Sequence, residues 1–121
     1  MTTFTGTIRI DIPTNPLSLN ARHHWRTKSA LTKKWRAFAA SEAASFPELG
    51  ACDVSLTWFV KTAHRRDTDN LWGFLKPLAD GLVDAGVVPD DIPSLMGKVC
   101  DIQPAPTWEP TAYMELKVVS R

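Results

Sequence analysis

Residues 52–60, CDVSLTWFV, constrain this chain most. Cys52, Val54, Leu56, Trp58 and Val60 fall on one side of an extended backbone, and Asp53, Ser55, Thr57 and Phe59 fall on the other. Side chains in a strand alternate with period 2, so the pattern predicts a strand with one face in a core. A polar, basic run follows at 61–66. Then Leu71, Leu75, Leu78, Leu82 and Ala85 recur at steps of 4, 3, 4 and 3. That spacing is one apolar stripe on a helix, predicted over 70–85, with Gly86 as its stop. Pro77 lies inside it and predicts a kink or a split, because proline removes a helical N–H and costs about 3 kcal/mol there.

The flanks supply the remaining elements. Phe4, Ile8, Ile10 and Ile12 alternate with Thr5, Thr7, Arg9 and Asp11, a half-buried strand over 3–12 with Gly6 in its apolar series. Residues 13–28 read as an irregular loop rich in basic and aromatic groups. Ser29 is the expected N-cap of a helix reaching about residue 46, with Leu31, Trp35, Phe38 and Ala39 inward and Pro47 and Gly50 closing it. A strand is expected over 95–103. Next comes a loop marked by Pro104, Pro106 and Pro110 that carries Trp108, then a last strand on which Ala112, Met114, Leu116 and Val118 alternate. The order β-α-β-α-β-β predicts an α+β fold, a small mixed β-sheet with two helices packed on it.

With 121 residues, 44% of them hydrophobic, the chain makes one domain over 1–121, able to bury about two-thirds of its unfolded surface. No apolar stretch nears the roughly 18 residues that span a bilayer. The opening MTTFTGTIRIDIP lacks a basic segment followed by an apolar block. Cys52 and Cys100 sit in apolar runs and are expected to be buried free thiols. Together these features predict a cytoplasmic protein with no membrane partner.

The net charge of +1 hides an asymmetry. Residues 1–66 hold ten Lys/Arg against four Asp/Glu, or +6, and residues 67–121 hold four against nine, or −5. One half suits a polyanion and the other a cation, or the two halves attract each other within the fold. The segment Arg65-Arg66-Asp67-Thr68-Asp69-Asn70 leaves a strand and opens a helix. In extended chain Asp67 and Asp69 face the same way, and their hard oxygens suit Mg²⁺ or Mn²⁺. Asn70 adds an oxygen or an orienting amide. Asp69, Gly73, Lys76 and Asp80 continue as a polar stripe, and Asp90-Asp91 follows the helix. Each feature also has a plainer reading, as a helix cap, an exposed helix face or a solvated turn. Were three carboxylates to share about 5 Å, each pair would repel by roughly 3 kcal/mol at an effective dielectric near 20, which makes sense only around a divalent cation. Carboxylates around such a cation are the parts needed for phosphodiester hydrolysis.

The runs Arg66-Asp67-Thr68-Asp69-Asn70-Leu71, Lys76-Pro77, Asp80-Gly81-Leu82, Ala85-Gly86-Val87 and Asp90-Asp91 resemble the RusA family of Holliday-junction resolvases, as do Pro16-Leu17-Ser18-Leu19-Asn20, His24-Trp25 and Trp35-Arg36. The resemblance covers roughly residues 8–119 and is most specific over 66–91. It implies a homodimeric, Mg²⁺- or Mn²⁺-dependent endonuclease that cuts four-way branched DNA symmetrically in recombination and repair. It matches Asp67, Asp69 and Asp91 to the metal-binding catalytic acids and Lys76 to the essential lysine, with Asp90, Asp80 and Asn70 in support. One departure stands out. Lys76 lies seven residues after Asp69, where the family's best-known pattern has four, and the extra three residues are close to one helical turn.

For DNA, the sequence offers Arg22, His24, Trp25, Arg26, Lys28 and Lys33, with Lys34 and Arg36 beside them and Arg65 and Arg66 next to the acids. Phosphate contacts of this kind give affinity without sequence reading. Trp25 is a candidate for base stacking. Trp35 falls on the apolar stripe and is expected in the core. The alternative function is a catalytically silent branched-DNA-binding protein that keeps the fold. A phosphatase or phosphotransferase acting on small molecules is disfavoured by the lack of a Gly-rich phosphate loop.

Overall fold

A computed structural model describes residues 3–18, 24–62, 66 and 68–121. Strand β1 (Thr5–Ile10) leads through a loop to helix α1 (Trp25–Glu42). Strand β2 (Cys52–Val60) is followed by a 3₁₀ turn (Thr68–Leu71) that runs directly into α2 (Trp72–Asp84), and strands β3 (Met96–Pro104) and β4 (Tyr113–Ser120) complete the chain. The sheet order is β1-β4-β2-β3. β4 runs antiparallel to both β1 and β2, whereas β2 and β3 are parallel. This is the expected α+β fold, a mixed sheet with two helices, in the expected order. Among the described residues no helix is long and apolar enough to cross a membrane.

The alternation in 52–60 builds the core over its first part, and Trp58 and Val60 are only half-buried. Cys52, Val54 and Leu56 join Ile8, Ile10, Met114, Leu116 and Val118 from the neighbouring strands, and all are buried under Trp35 and Ala39 of α1 and Phe74, Leu75, Leu78 and Leu82 of α2. Burying a side chain of this size contributes about 1.5–3 kcal/mol. The two helices meet at Gly81, where an added Cβ would run into the carbonyl oxygen of Arg36 and the Cβ of Ala39. Arg36 also bridges the helices, donating 2.6 Å and 2.8 Å bonds to the Asp84 carboxylate. Gly6 makes room for the edge-to-face pair Phe4–Phe46.

Several boundaries differ from expectation. α1 begins four residues before Ser29, because the His24 ring caps it by accepting from the Arg26 N–H. It ends at Glu42, short of residue 46. α2 runs through Pro77. The change of helix type falls at Leu71–Trp72, ahead of the proline, so the only α2 carbonyl that loses its partner to the ring is that of Gly73. The far end of α2 closes as a Schellman motif. The Val87 N–H donates to the Leu82 carbonyl at 3.1 Å and the Gly86 N–H to Val83 at 2.9 Å, with Gly86 at φ 82°. Both cysteines are free, and Cys52 is buried, but Cys100 is only half-buried because β3 is an edge strand.

Candidate functional site

The turn bearing Asp69 and the loop after β1 meet at the end of β2. Leu71, wholly buried, anchors the 3₁₀ turn, which packs beside β3. Asp69 lies exposed in its first turn, and Asn70 is half-buried behind it. The Asn70 carbonyl accepts a 2.6 Å bond from the Asn15 side-chain amide, whose oxygen in turn accepts from the Leu17 N–H at 3.0 Å. Trp58 Nε1 donates to the Pro13 carbonyl at 3.1 Å. The loop after β1 is thereby fastened to the turn bearing Asp69. Arg66 donates to the Thr62 carbonyl and hydroxyl at 2.9 Å and 2.6 Å, and its guanidinium lies 5.1 Å from the centre of the Trp58 ring.

Along α2 the polar stripe is occupied as a charge cluster. Lys76 Nζ donates to Asp91 Oδ2 at 2.8 Å and to Asp80 Oδ1 at 3.1 Å. Lys98, on β3, donates to the same Asp91 Oδ2 at 3.1 Å. The chain between Gly86 and β3 therefore brings Asp91 back against the middle of α2. Exposed Asp90 helps to shape this corner, its Oδ1 accepting from the Asp91 N–H at 2.7 Å. The Lys76 and Lys98 bonds hold the Asp91 carboxyl down at about 2, against the opposing effect of its burial. The bonds to Asp91 and then Asp80 raise Lys76, which stays an ammonium ion. Exposure divides the two lysines: the Lys76 side chain is 62% exposed and that of Lys98 is 22%.

The structure thus gathers Lys76, Asp80 and Asp91 and fastens Asn70 to the loop after β1. Asp67, Arg22 and Arg65 lie outside the described residues. Among the described residues no three His, Cys, Asp or Glu side chains form a group that would hold a metal. Asp69, Asp80 and Asp91 are nevertheless hard oxygen donors, and both lysine bonds to Asp91 land on one oxygen. That chemistry fits Mg²⁺ or Mn²⁺ rather than a soft metal.

His24, Trp25, Arg26 and Lys28 belong to the cap and first turn of α1, not to an irregular loop, and they and Lys33 are exposed. The Trp25 ring lies 5.7 Å from His24 and 5.2 Å from the Arg26 guanidinium. Arg36 is committed to Asp84. Trp35 is core, as expected. Sequence reasoning missed Lys98 and Asn15. Lys98 carried a signal, a lysine in the inward series Met96, Cys100 and Ile102 of one strand. Asn15 carried no signal of its own: it falls within 13–28, which read only as an irregular loop.

No family model matches the chain. It is similar to an uncharacterized protein of Xylella fastidiosa (strain Temecula1 / ATCC 700964), with 34% identity over 80 residues covering 60% of this chain and 52% of that protein. The chain therefore spans about half the length of the curated relative it matches. Among solved structures, a chain of a crystal structure of a HypE-HypF complex aligns with a TM-score of 0.40 and 10% identity, covering 97% of this chain and 32% of that one.

Proposed function

We propose that this chain is a metal-dependent endonuclease of the RusA type that resolves four-way DNA junctions as a homodimer. The observation that carries the reading is the contact of Lys76 Nζ with Asp91 Oδ2 at 2.8 Å. It joins two residues of the family-like pattern that stand fifteen positions apart, despite the extra turn before Lys76.

A divalent cation held by Asp69 and Asp91, with Asp67 as the third acid, would supply Lewis-acid polarisation of the phosphodiester. The chain's own residues do the rest. Lys76, mostly exposed and fully protonated, turns its ammonium to a non-bridging phosphoryl oxygen and stabilises the charge that grows there. Lys98 stays on Asp91 and keeps that carboxylate compensated while Lys76 is engaged. Asp80 and Asp90 orient the pair, and Arg66, His24, Arg26, Lys28 and Lys33 contact phosphates. Water oxygen bonds to phosphorus and gives up a proton to solvent, the bond to the 3′ oxygen breaks, and that oxygen takes a proton from solvent. The products are a 5′-phosphate and a 3′-hydroxyl.

One observation favours the second reading, a silent branched-DNA-binding protein: two lysines already neutralise Asp91. A synthetic four-way junction separates the two. The full chain should nick paired strands symmetrically with Mg²⁺ or Mn²⁺, and Asp69→Asn should bind the junction without cutting. Tight binding by the wild type with no cleavage in any divalent metal would leave the silent reading. Absence of junction binding would end both.

A further inference from the structure

Trp108 is 80% exposed, the most exposed large hydrophobic residue among those described. Among the described residues its ring makes no aromatic, cation–π or hydrogen-bond contact. The turn that carries it is nonetheless firmly held. The Ala105 N–H donates to the Val60 carbonyl at 2.8 Å and the Glu109 N–H to Pro106 at 3.1 Å. Arg9 grips the Glu109 carboxylate with bonds of 2.7 Å and 2.8 Å and lies 3.8 Å over the Tyr113 ring. Pro104, Pro106 and Pro110 fix their own φ angles. An indole offers 150–250 Å² of surface worth burying, and this chain holds one in water on a braced support.

Topology says where that support stands. β3 and β4 flank β2 on opposite sides, so the connection between them arches over the end of β2, where Val60 pairs with Pro104 and Phe59 with Tyr113. The chain leaves that same end through Lys61 and Arg66 to reach Asp69. Lys61 stands near the arch: after Arg9, its charge helps to hold the Glu109 carboxyl below the usual carboxylate range. An exposed aromatic face one residue from a carboxylate that already has its own arginine, with Lys61 in the field of that pair and at the same end of the sheet as the acid-bearing segment, suits a base stacked on the ring and its phosphate on the lysine.

We propose that Trp108 is a stacking platform for an unpaired nucleobase at the branch point of the DNA, a site separate from Trp25 and resting on the reading of this chain as a branched-DNA protein. The test uses the full chain, a fluorescent four-way junction, a linear duplex of the same length, and a junction with 2-aminopurine at the crossover. Because the ring is 80% exposed and lies outside the buried core, W108A should keep the wild-type circular dichroism and melting temperature. It should weaken junction binding by about 5- to 150-fold, leave duplex binding unchanged, and abolish the 2-aminopurine fluorescence change seen with the wild type. W108F should recover part of both. Equal junction affinity and an equal 2-aminopurine response for wild type and W108A overturn the proposal while leaving the junction reading intact. A loss of binding that follows a shift in oligomeric state on sedimentation overturns it in favour of a protein contact. A wild type that binds no junction overturns the underlying reading as well.

Discussion

Replacing Lys98 by methionine keeps most of the side chain's apolar stem and removes one of the two cations on Asp91. The pair together carry the Asp91 carboxyl from 3.8 to about 2. At 1.36 kcal/mol per unit, that is an upper bound of roughly 2.5 kcal/mol for both lysines. Lys76 is 62% exposed, so solvent screens its share to below about 1 kcal/mol. Lys98, at 22% exposure, keeps about 1–1.5 kcal/mol. The sign follows from linkage: a carboxyl whose folded value is depressed contributes stability above its unfolded value, and that stability is lost as pH falls through the folded value. K98M should therefore be less stable than wild type by about 1–1.5 kcal/mol at pH 7. The difference should shrink between pH 4 and pH 2. Urea unfolding followed by tryptophan fluorescence reads this as a midpoint lowered by about 0.5–1 M at neutral pH. A loss of the same size at pH 7 and pH 2.5 would mean that Lys98 acts through packing, and no loss at pH 7 would refute the clamp.

Two further outcomes follow from packing and burial. G81A should destabilise the protein by about 1–3 kcal/mol despite the roughly 1 kcal/mol that alanine gains over glycine in a helix, because the new methyl meets the Arg36 carbonyl and pushes α1 off α2; thermal denaturation checks it. Burial pushes the Cys100 thiol up to about 11 and raises Cys52 as well. At pH 8 about one Cys100 thiol in a thousand is then thiolate, against about a quarter for an ordinary cysteine, so a thiol-reactive disulfide reagent should label the folded chain slowly and both cysteines rapidly in guanidinium.

What the sequence reveals depends on the range of the interaction. The 52–56 part of the alternation survives because a sheet with one buried face tolerates no slip of register, whereas 57–60 are all half-buried where β2 runs out toward its end. The Leu71–Leu82 stripe survives because it packs on that face. The start of α1 was hidden because His24 is an unusual cap and its neighbours resemble a loop, while Ser29 offered a more ordinary signal. Pro77 does not split α2, which runs unbroken from Trp72 to Asp84 because its apolar stripe stays packed on the sheet, although the ring still removes the helical donor of the Gly73 carbonyl. At the site, Asn70, Lys76 and Asp80 were legible as a local pattern. Asp91 and Lys76 were joined in one site only through the family resemblance, since their direct bond depends on the chain after Gly86 turning back along α2. Lys98 and Asn15 act across the fold, on groups seven and fifty-five positions away, where local pattern has no reach.

The amide of Asn15 has a thermodynamic consequence. By holding the Asn70 carbonyl on one side and the Leu17 N–H on the other, it makes the strand-ending loop and the acid-bearing turn one mechanical unit. Were one ligand to order the loop and another the turn, the coupling between them would have to be reciprocal: whatever factor the first added to the second's affinity, the second would return in equal measure. Severing this single amide would weaken that coupling, while the bond from Trp58 to Pro13 still holds the loop on β2.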